Sequence, residues 1–270
     1  GIVKLSAATA KSLTRTTVNL GSTGSIIAQT VNSKPGKVVI GSPSNNSVRI
    51  AGNIDASAPK TSLSPSGRVI IQSRRVIHQG NIYANGPSGG KVEVISKDSI
   101  KLDGSIIAKG SDVKGGKVII ISDNAIEASP RNIVDVSGKL KGGQIRALAK
   151  NNSKISGKLK ASSSKLGGKV DITAEKVEVL SANIEAKGNL QGGKVRVGGD
   201  YLGGNLTNLD KNIKQGFVSR FGDQPPLANS KQTVVKADTN IDVSSSAGKG
   251  GTVVIWSDEM TDFNGTINAK

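Results

Sequence analysis

One phrase is written along this chain again and again: two glycines, a basic residue, alternating apolar residues, a polar turn, further alternation, Gly-x-Ile-x-Ala, and then the two glycines once more. It opens at Gly89-Gly90-Lys91-Val92, Gly115-Gly116-Lys117-Val118, Gly142-Gly143-Gln144-Ile145, Gly167-Gly168-Lys169-Val170, Gly192-Gly193-Lys194-Val195 and Gly250-Gly251-Thr252-Val253, with degenerate copies at Gly36-Lys37-Val38 and Gly67-Arg68-Val69. The restarts at residues 36, 67, 90, 116, 143, 168, 193 and 251 lie 31, 23, 26, 27, 25, 25 and 58 residues apart. A unit of about 25 residues is too small to bury a core alone and must stack on its neighbours, so the repeat demands a solenoid.

Inside one unit the alternation has period two, three times over. Val170-Asp171-Ile172, Val177-Glu178-Val179 and Ile184-Glu185-Ala186 each run apolar, polar, apolar, with short polar or glycine turns between them. Period two sends Val170, Ile172, Val177, Val179, Ile184 and Ala186 to one side and the acids to the other. Each unit is therefore a coil of three strands, apolar inside and charged outside. Each strand pairs in parallel with its equivalent one unit on, about 4.8 Å away. Nine coils, starting at residues 1, 36, 67, 90, 116, 143, 168, 193 and 251, make a rod about 40 Å long at that spacing. The predicted fold is all-β, a right-handed parallel β-helix, the hand being that of nearly all strand-crossover-parallel-strand connections. A β-propeller needs blades of about 40 to 50 residues, and a leucine-rich repeat needs Leu-x-x-Leu-x-Leu with an Asn ladder; neither pattern occurs.

The length of 270 residues would suit one or two globular domains, but the repeat runs from end to end without a linker, so residues 1–270 read as one continuous β-helix. Aromatics make up 2% of the chain and hydrophobic residues 35%, which rules out a core built on Phe and Trp. A narrow interior of stacked Val, Ile, Leu and Ala suits that composition, because β-branched side chains pack well on pleated surfaces. With no cysteine there is neither a disulfide framework nor a thiolate metal site. No apolar run approaches the roughly 18 residues of a membrane helix, so membrane insertion is not expected. Gly1-Ile2-Val3-Lys4-Leu5 and Gly265-Thr266-Ile267-Asn268-Ala269 read as ordinary coil strands rather than polar caps, and the expectation is a fragment of a longer protein.

The formal charge is +17, and the repeat places it. The residue after the glycines is Lys37, Arg68, Lys91, Lys117, Gln144, Lys169, Lys194 or Thr252, and it points outward because the next residue points inward. A second, less regular set follows the third strand: Lys109, Lys187 and, offset, Lys158, Lys160 and Lys165. Together they predict a basic stripe. Unit charges about 5 Å apart in water repel by under about 1 kcal/mol, so the ladder is tolerable, and it sets up a potential that attracts polyanions. Glu93, Asp171 and Asp98 stand where they could neutralise part of it. The ladder Lys37, Arg68, Lys91, Lys117, Lys169 and Lys194 is thus a candidate site for sulfated glycans, lipopolysaccharide phosphates or extracellular DNA, and equally a device that protects exposed strands and keeps a rod soluble. For nucleic acid the expectation is only salt-sensitive, sequence-blind binding, since few aromatics are available to stack on bases.

The interval of 58 residues holds one coil and about 30 residues more. Val195-Arg196-Val197 aligns as its first strand, Val234-Val235-Lys236-Ala237 as its second and Ile241-Asp242-Val243 as its third, leaving an excursion at 199–232. Tyr201, Phe217, Arg220 and Phe221 lie in it, and long loops on rigid scaffolds often carry recognition, so these four are a candidate partner contact. The same aromatics would serve equally to staple the loop to the rod. Ala7 to Thr17 lacks alternation and reads as a short helix with Leu13 turned inward.

Catalytic constellations are almost absent. His78 is the only histidine and there is no cysteine, which excludes Ser-His-Asp and Cys-His sites, save any built on that one ring, and multi-histidine zinc sites. Asp238 with Asp242, and Asp258 with Glu259 and Asp262, read as ordinary turn and outward residues. The calcium-binding Gly-Gly-x-Gly-x-Asp nonapeptide does not occur. No catalytic residue, metal or cofactor is expected.

Four stretches resemble a known family, the two-partner-secretion exoproteins of Gram-negative bacteria, including the filamentous-haemagglutinin-like and high-molecular-weight adhesins. Val3-Lys4-Leu5-Ser6-Ala7 with Leu13-Thr14-Arg15-Thr16-Thr17-Val18-Asn19 and Gly24-Ser25-Ile26-Ile27-Ala28 looks like the segment after their N-terminal secretion domain. Val195-Arg196-Val197-Gly198-Gly199-Asp200-Tyr201 is similar to a recurrent coil. Gly250-Gly251-Thr252-Val253-Val254-Ile255-Trp256-Ser257-Asp258 with Phe263-Asn264-Gly265-Thr266-Ile267-Asn268-Ala269 looks like the coil that follows it. The Gly-Gly-Lys-Val units complete the pattern. The resemblance implies a right-handed β-helix exported unfolded through an outer-membrane two-partner-secretion transporter and displayed at the bacterial surface. The function expected is a non-enzymatic adhesin rod contacting a host glycan or protein receptor. The alternatives are the delivery stick of a contact-dependent growth-inhibition toxin, or a capture module for a host protein that uses the excursion.

Overall fold

The structure, a computed structural model, describes residues 1–6, 17–31, 34–41, 46–60, 66–205, 212, 215 and 227–270. The expected helix over Ala7 to Thr17 lies outside the described residues, apart from Thr17, which opens a strand.

Three parallel ladders wind into a right-handed β-helix. The first passes through Val3, Val38, Val69, Val92, Val118, Ile145, Val170, Val195 and Val253. The second passes through Val18, Val48, Val76, Ile100, Ile126, Ser153, Val177, Thr233 and Thr261. The third passes through Ile26, Ile54, Ile82, Ile106, Val134, Leu159, Ile184, Ile241 and Ile267. Each ladder is nine strands deep, so the stack makes eight coil-to-coil steps. In four coils two successive strands run on as one extended segment: Arg68–His78, Lys91–Leu102, Asn152–Lys160 and Lys176–Glu185.

The alternation explains the packing. Val38, Ile40, Val69, Ile71, Val92, Val94, Ile106, Val134, Val170 and Ile172 are all fully buried. Each β-branched side chain rests on its equivalent in the next coil, and fully burying one is worth about 1.5–3 kcal/mol. A buried serine row turns the corner between first and second strands: Ser73, Ser96 and Ser122 stand in register, and the Ser96 and Ser122 hydroxyls lie 3.3 Å apart.

The glycines that open each coil are required by close approach. A Cβ on Gly143 would meet the Gly116 carbonyl and lie 2.8 Å from the Val136 Cβ; the equivalent atom on Gly116 or Gly193 meets the same two kinds of group. Successive coils touch backbone to backbone at this corner, so the repeated pair is a packing constraint before it is anything else.

The long-interval coil resumes two residues earlier than its sequence suggests. Its second strand is Gln232–Val235, with Thr233 opposite Val177 and Val235 opposite Val179. Val234-Val235 gives no alternation to fix the register, and the buried Thr233 hydroxyl is satisfied by donating to the Trp256 carbonyl at 2.7 Å. The excursion closes at a backbone neck, Ser230 N–H to Gly198 carbonyl at 2.6 Å.

One inward position carries a titratable group. His78 sits in register between Ile50 and Leu102, fully buried, with no hydrogen-bond partner on either ring nitrogen. Burial pushes its imidazole down to about 4, against a smaller upward pull from Asp103.

This packing has consequences for acid stability and for the glycine corner. The unfolded chain takes up a proton on His78 near pH 6.5 and the folded chain only near 4, so stability is full above that window and is lost as pH falls through it, by about 3 kcal/mol at about 1.4 per unit. His78→Leu, matching Leu102, should abolish that part of the acid dependence of the thermal midpoint. Arg131 and Arg75 hydrogen bonds hold Asp103 and Asp98 below their ordinary values, so the carboxylate losses come at lower pH and remain. Gly143→Ala should cost about 1–3 kcal/mol of unfolding free energy by overpacking. Gly21→Ala, where an added Cβ meets nothing within 4 Å, should stay within about 0.5 kcal/mol of the parent.

Candidate functional site

The outward residues that follow the glycines fall into a single row. Lys37, Arg68, Lys91, Lys117, Gln144, Lys169, Lys194 and Thr252 pair each with the next. All six candidate cations are therefore brought together on one edge, interrupted by Gln144 and ended by Thr252. Apart from the exposed Arg68 they are half-buried, their stems lying along the strand face.

A second row, which the repeat did not reveal in the sequence, stands across the glycines from the first. Lys114, Lys141, Leu166, Gln191 and Lys249 are in register through isolated bridges. The two rows wall a groove of about 530 Å³ floored by the glycine pairs, with Lys91, Lys117 and Lys169 on one side and Lys114 and Lys141 on the other. A further space of about 770 Å³ continues along the same edge between Lys194 and Lys249. The glycine N–H groups are occupied in the stack, as in Gly89 to Lys114 carbonyl and Gly90 to Ala84 carbonyl. The floor is therefore glycine backbone whose N–H groups are already bonded, and the walls are cationic. Counting backward from each glycine pair, as well as forward, would have revealed the second row.

Neutralisation along the edge is partial. Glu93 binds Arg68 through Nε at 2.6 Å and Lys91 at 2.7 Å. Partial burial works against its charge, but hydrogen bonds from Lys91 and Arg68 hold its carboxyl below the ordinary value. Asp98 lies elsewhere, bound to Arg75 at 2.9 Å. Further along, burial and then the neighbouring Lys169 and Arg196 charges pull Lys194 down to about 8. Lys169 is lowered by burial first and by Lys141 next.

The lysines expected to extend the stripe beyond the third strand are largely paired. Lys109 binds Asp135 at 2.9 Å, Lys160 lies 3.8 Å from Glu185, and Lys187 lies 3.8 Å from both Glu185 and Asp242. Lys158 and Lys165 have no ion pair among the described residues.

Asp171 corrects the simple inside-outside reading. It points away from the core, yet its side chain is 2% exposed. Arg146 and Arg196 stand opposite it in the adjoining coils, with Nε atoms 3.2 Å and 2.8 Å from its carboxylate. Arg196 also binds Asp200 at 2.6 Å. Burial opposes the Arg196 charge, but Asp171 and Asp200 together hold its guanidinium above the ordinary value. The signal lay in the sequence as Arg, Asp, Arg at one repeat position.

Asp200 begins the excursion, and the base of that loop is well braced. Tyr201–Gly204 forms a short 3-10 turn in which Leu202 and Gly203 have φ of 52° and 64°. Asn229 donates to the Gly203 carbonyl at 3.2 Å and to Asp258 at 3.1 Å, and the Trp256 ring N–H also reaches Asp258 at 3.0 Å. Thr173 donates to the Ala228 carbonyl at 2.6 Å, seating the returning chain against the rod. Tyr201 is exposed. Phe217, Arg220 and Phe221 lie outside the described residues. Among the described residues no group of three His, Cys, Asp or Glu side chains could hold a metal ion, and no helix is long and apolar enough to cross a membrane.

No protein-family model matches the chain, and no curated protein matches it. Among solved structures it is similar to the crystal structure of the HMW1 secretion domain from Haemophilus influenzae, with 17% identity and a TM-score of 0.58, over 95% of this chain and 79% of that one. At that identity the likeness is one of fold. The solved relative is a secretion domain, whereas the sequence resemblance set this chain in the segment behind one.

The buried charge network gives a test of its own. Asp171→Asn leaves two guanidiniums without their shared countercharge, and breaking a buried pair in this way costs about 3–5 kcal/mol. Chemical denaturation should show that loss. Asp98→Asn, at a pair with side chains 46% and 29% exposed, should cost under about 1 kcal/mol.

Proposed function

We propose that this chain is a non-enzymatic extracellular rod of a secreted, adhesin-like bacterial protein, and that its glycine-floored edge holds anionic glycans lengthwise. The observation that carries the reading is the in-register row Lys91, Lys117, Lys169 and Lys194, faced across the glycines by Lys114, Lys141 and Lys249. Lys91 and Lys117, Lys169 and Lys194, and Lys114 and Lys141 are each one coil rise apart, about 4.8 Å, with Gln144 separating the first two pairs. A linear polyanion lying along the rod meets several ammonium groups at once, and its sugar rings meet the side-chain-free glycine floor. The fold likeness to a secretion domain supports export with an outer-membrane transporter as partner. Nucleic acid would be held by its phosphates alone, without stacking.

The edge exists without a ligand's help, because the glycines are there for packing and the lysines could serve solubility alone. Binding therefore separates the two. Changing Lys91, Lys117, Lys169 and Lys194 together to Gln should weaken heparin or chondroitin sulfate binding by about tenfold or more at physiological salt, which is about 1.4 kcal/mol over four side chains. The circular dichroism should be unchanged. Weak binding to heparin, chondroitin sulfate and DNA alike, vanishing at physiological salt, would leave the chain as a spacer.

A further inference from the structure

We propose that the turn edge of the rod, beside the glycine groove, docks lengthwise onto an anionic lipid bilayer. This goes beyond glycan binding and stands on a different observation, the distribution of exposed apolar side chains.

Among the described residues the large exposed apolar side chains fall into three groups. Ile2, Ile27 and Val31 lie in the first coil and Met260, Phe263 and Ile267 in the last; Tyr201 and Leu202 lie at the base of the excursion. The remaining four are Val113, Leu140, Leu166 and Leu190, exposed by 48%, 37%, 38% and 54%. They come from the same turn of four successive coils, the one that leads from the third strand into the glycine pair. The turns are stacked by backbone hydrogen bonds, Leu140 N–H to Val113 carbonyl at 2.8 Å, Leu166 N–H to Leu140 carbonyl at 3.0 Å and Leu190 N–H to Lys165 carbonyl at 2.9 Å. Three coil steps at about 4.8 Å make an aliphatic strip about 14 Å long. Val113, Leu140 and Leu190 hold one place in the turn, which Lys165 takes in the remaining coil, and Leu166 stands one residue on, in register with Lys141. The mid-rod thus concentrates its exposed large apolar side chains on this one turn edge.

The charge around that line decides what it meets. The turn segments 109–114, 137–141, 162–166, 187–191 and 244–249 carry Lys109, Lys114, Lys139, Lys141, Lys165, Lys187 and Lys249 against the single acid Asp112. Lys109 and Lys187 are drawn toward Asp135, Glu185 and Asp242, but Lys114, Lys139, Lys141 and Lys165 are exposed and flank the strip. A strip of Val and Leu between flexible cations matches the boundary of an anionic bilayer, where the aliphatic tips enter the headgroup layer and the ammonium groups reach lipid phosphates. A second protein could cover the apolar line, but nothing on it offers the paired polar rim of a protein contact, whereas the excess of cations complements an anionic surface along its whole length. Docking on the surface leaves the backbone outside the hydrocarbon and requires no insertion.

The experiment is co-sedimentation of the whole chain with phosphatidylcholine vesicles with and without phosphatidylglycerol, at physiological salt. The expected result is partitioning onto the phosphatidylglycerol vesicles and not onto pure phosphatidylcholine. Val113→Ser, Leu140→Ser and Leu190→Ser together should reduce partitioning by about tenfold or more while leaving heparin retention and the thermal midpoint as in the parent. Should the threefold variant misfold, Leu190→Asp at the most exposed position carries the same test. No partitioning by the parent, or partitioning of the folded apolar variants equal to the parent, would overturn the proposal. Absence of heparin retention by the parent, with its vesicle binding intact, would count against the glycan reading alone.

Discussion

The parallel backbone ladder, with one β-branched side chain resting on its equivalent in the next coil, is the constraint on which the rest depends. It fixes a constant rise along the rod, so a residue repeated in the sequence becomes a physical row in space. Val38, Val69, Val92, Val118 and Val170, all buried, are such a row inside. The lysines beside them are such a row outside. Because burial of each Val or Ile contributes about 1.5–3 kcal/mol and a screened like-charge contact costs under about 1 kcal/mol, the core tolerates whatever charge order the outer rows carry. Sequence on the outside is free to be set by something other than stability.

The outer rows have used that freedom differently. On the second strand the outward row runs Lys101, Glu127, Lys154, Glu178, with ion pairs at 3.4 Å and 3.5 Å. On the third strand, Asp135, Lys160, Glu185 and Asp242 stand in register and gather Lys109 and Lys187. Both rows alternate or pair their charges, the arrangement that exposed strands adopt when nothing else is asked of them. The glycine edge alone repeats one sign, relieved at Glu93, and there burial first, and then the neighbouring Lys169 and Arg196 charges, lower the Lys194 pKa to about 8. A cost borne on one edge and avoided on the two other faces is a reason to look for a ligand there.

What the sequence made legible was everything that depends on period. The three strands per coil, the inward residues and the forward lysine row could be read because each is a fixed count from the glycines. The misses occur where the count ran in one direction only, where alternation fails or where the type misleads. Lys114, Lys141 and Lys249 each stand one residue before a glycine pair, so a backward count aligns them as surely as the backbone bridges do. Val234-Val235 lacks alternation, and the register went to the option that lets Thr233 donate to Trp256. His78 occupies an inward slot as an uncharged filler between Ile50 and Leu102, which its residue type does not announce. Asp171 faces outward as its parity requires, but outward is not the same as exposed when Arg146 and Arg196 close over it.

That last network shows how a long excursion can leave a repeat without disturbing it. The ordering cost of a loop rises slowly with its length, so the difficulty lies at the neck, where a strand ladder must stop and restart in register. Here Gly198, with φ of 80°, turns the chain out of the first strand, and Ser230 returns to bond its carbonyl. Asp200, the first polar residue past the turn, ties back to Arg196, which Asp171 already holds from the coil before. The neck is thus braced by a charge cluster shared between coils, and the next strand resumes with Gln232 opposite Lys176. Arg196 is also one of the charges that depress Lys194, two residues earlier on the same strand. The brace of the excursion and the cationic edge therefore act on each other across a single strand, Lys194–Val197, so the electrostatics of the edge are set partly by how the loop is anchored.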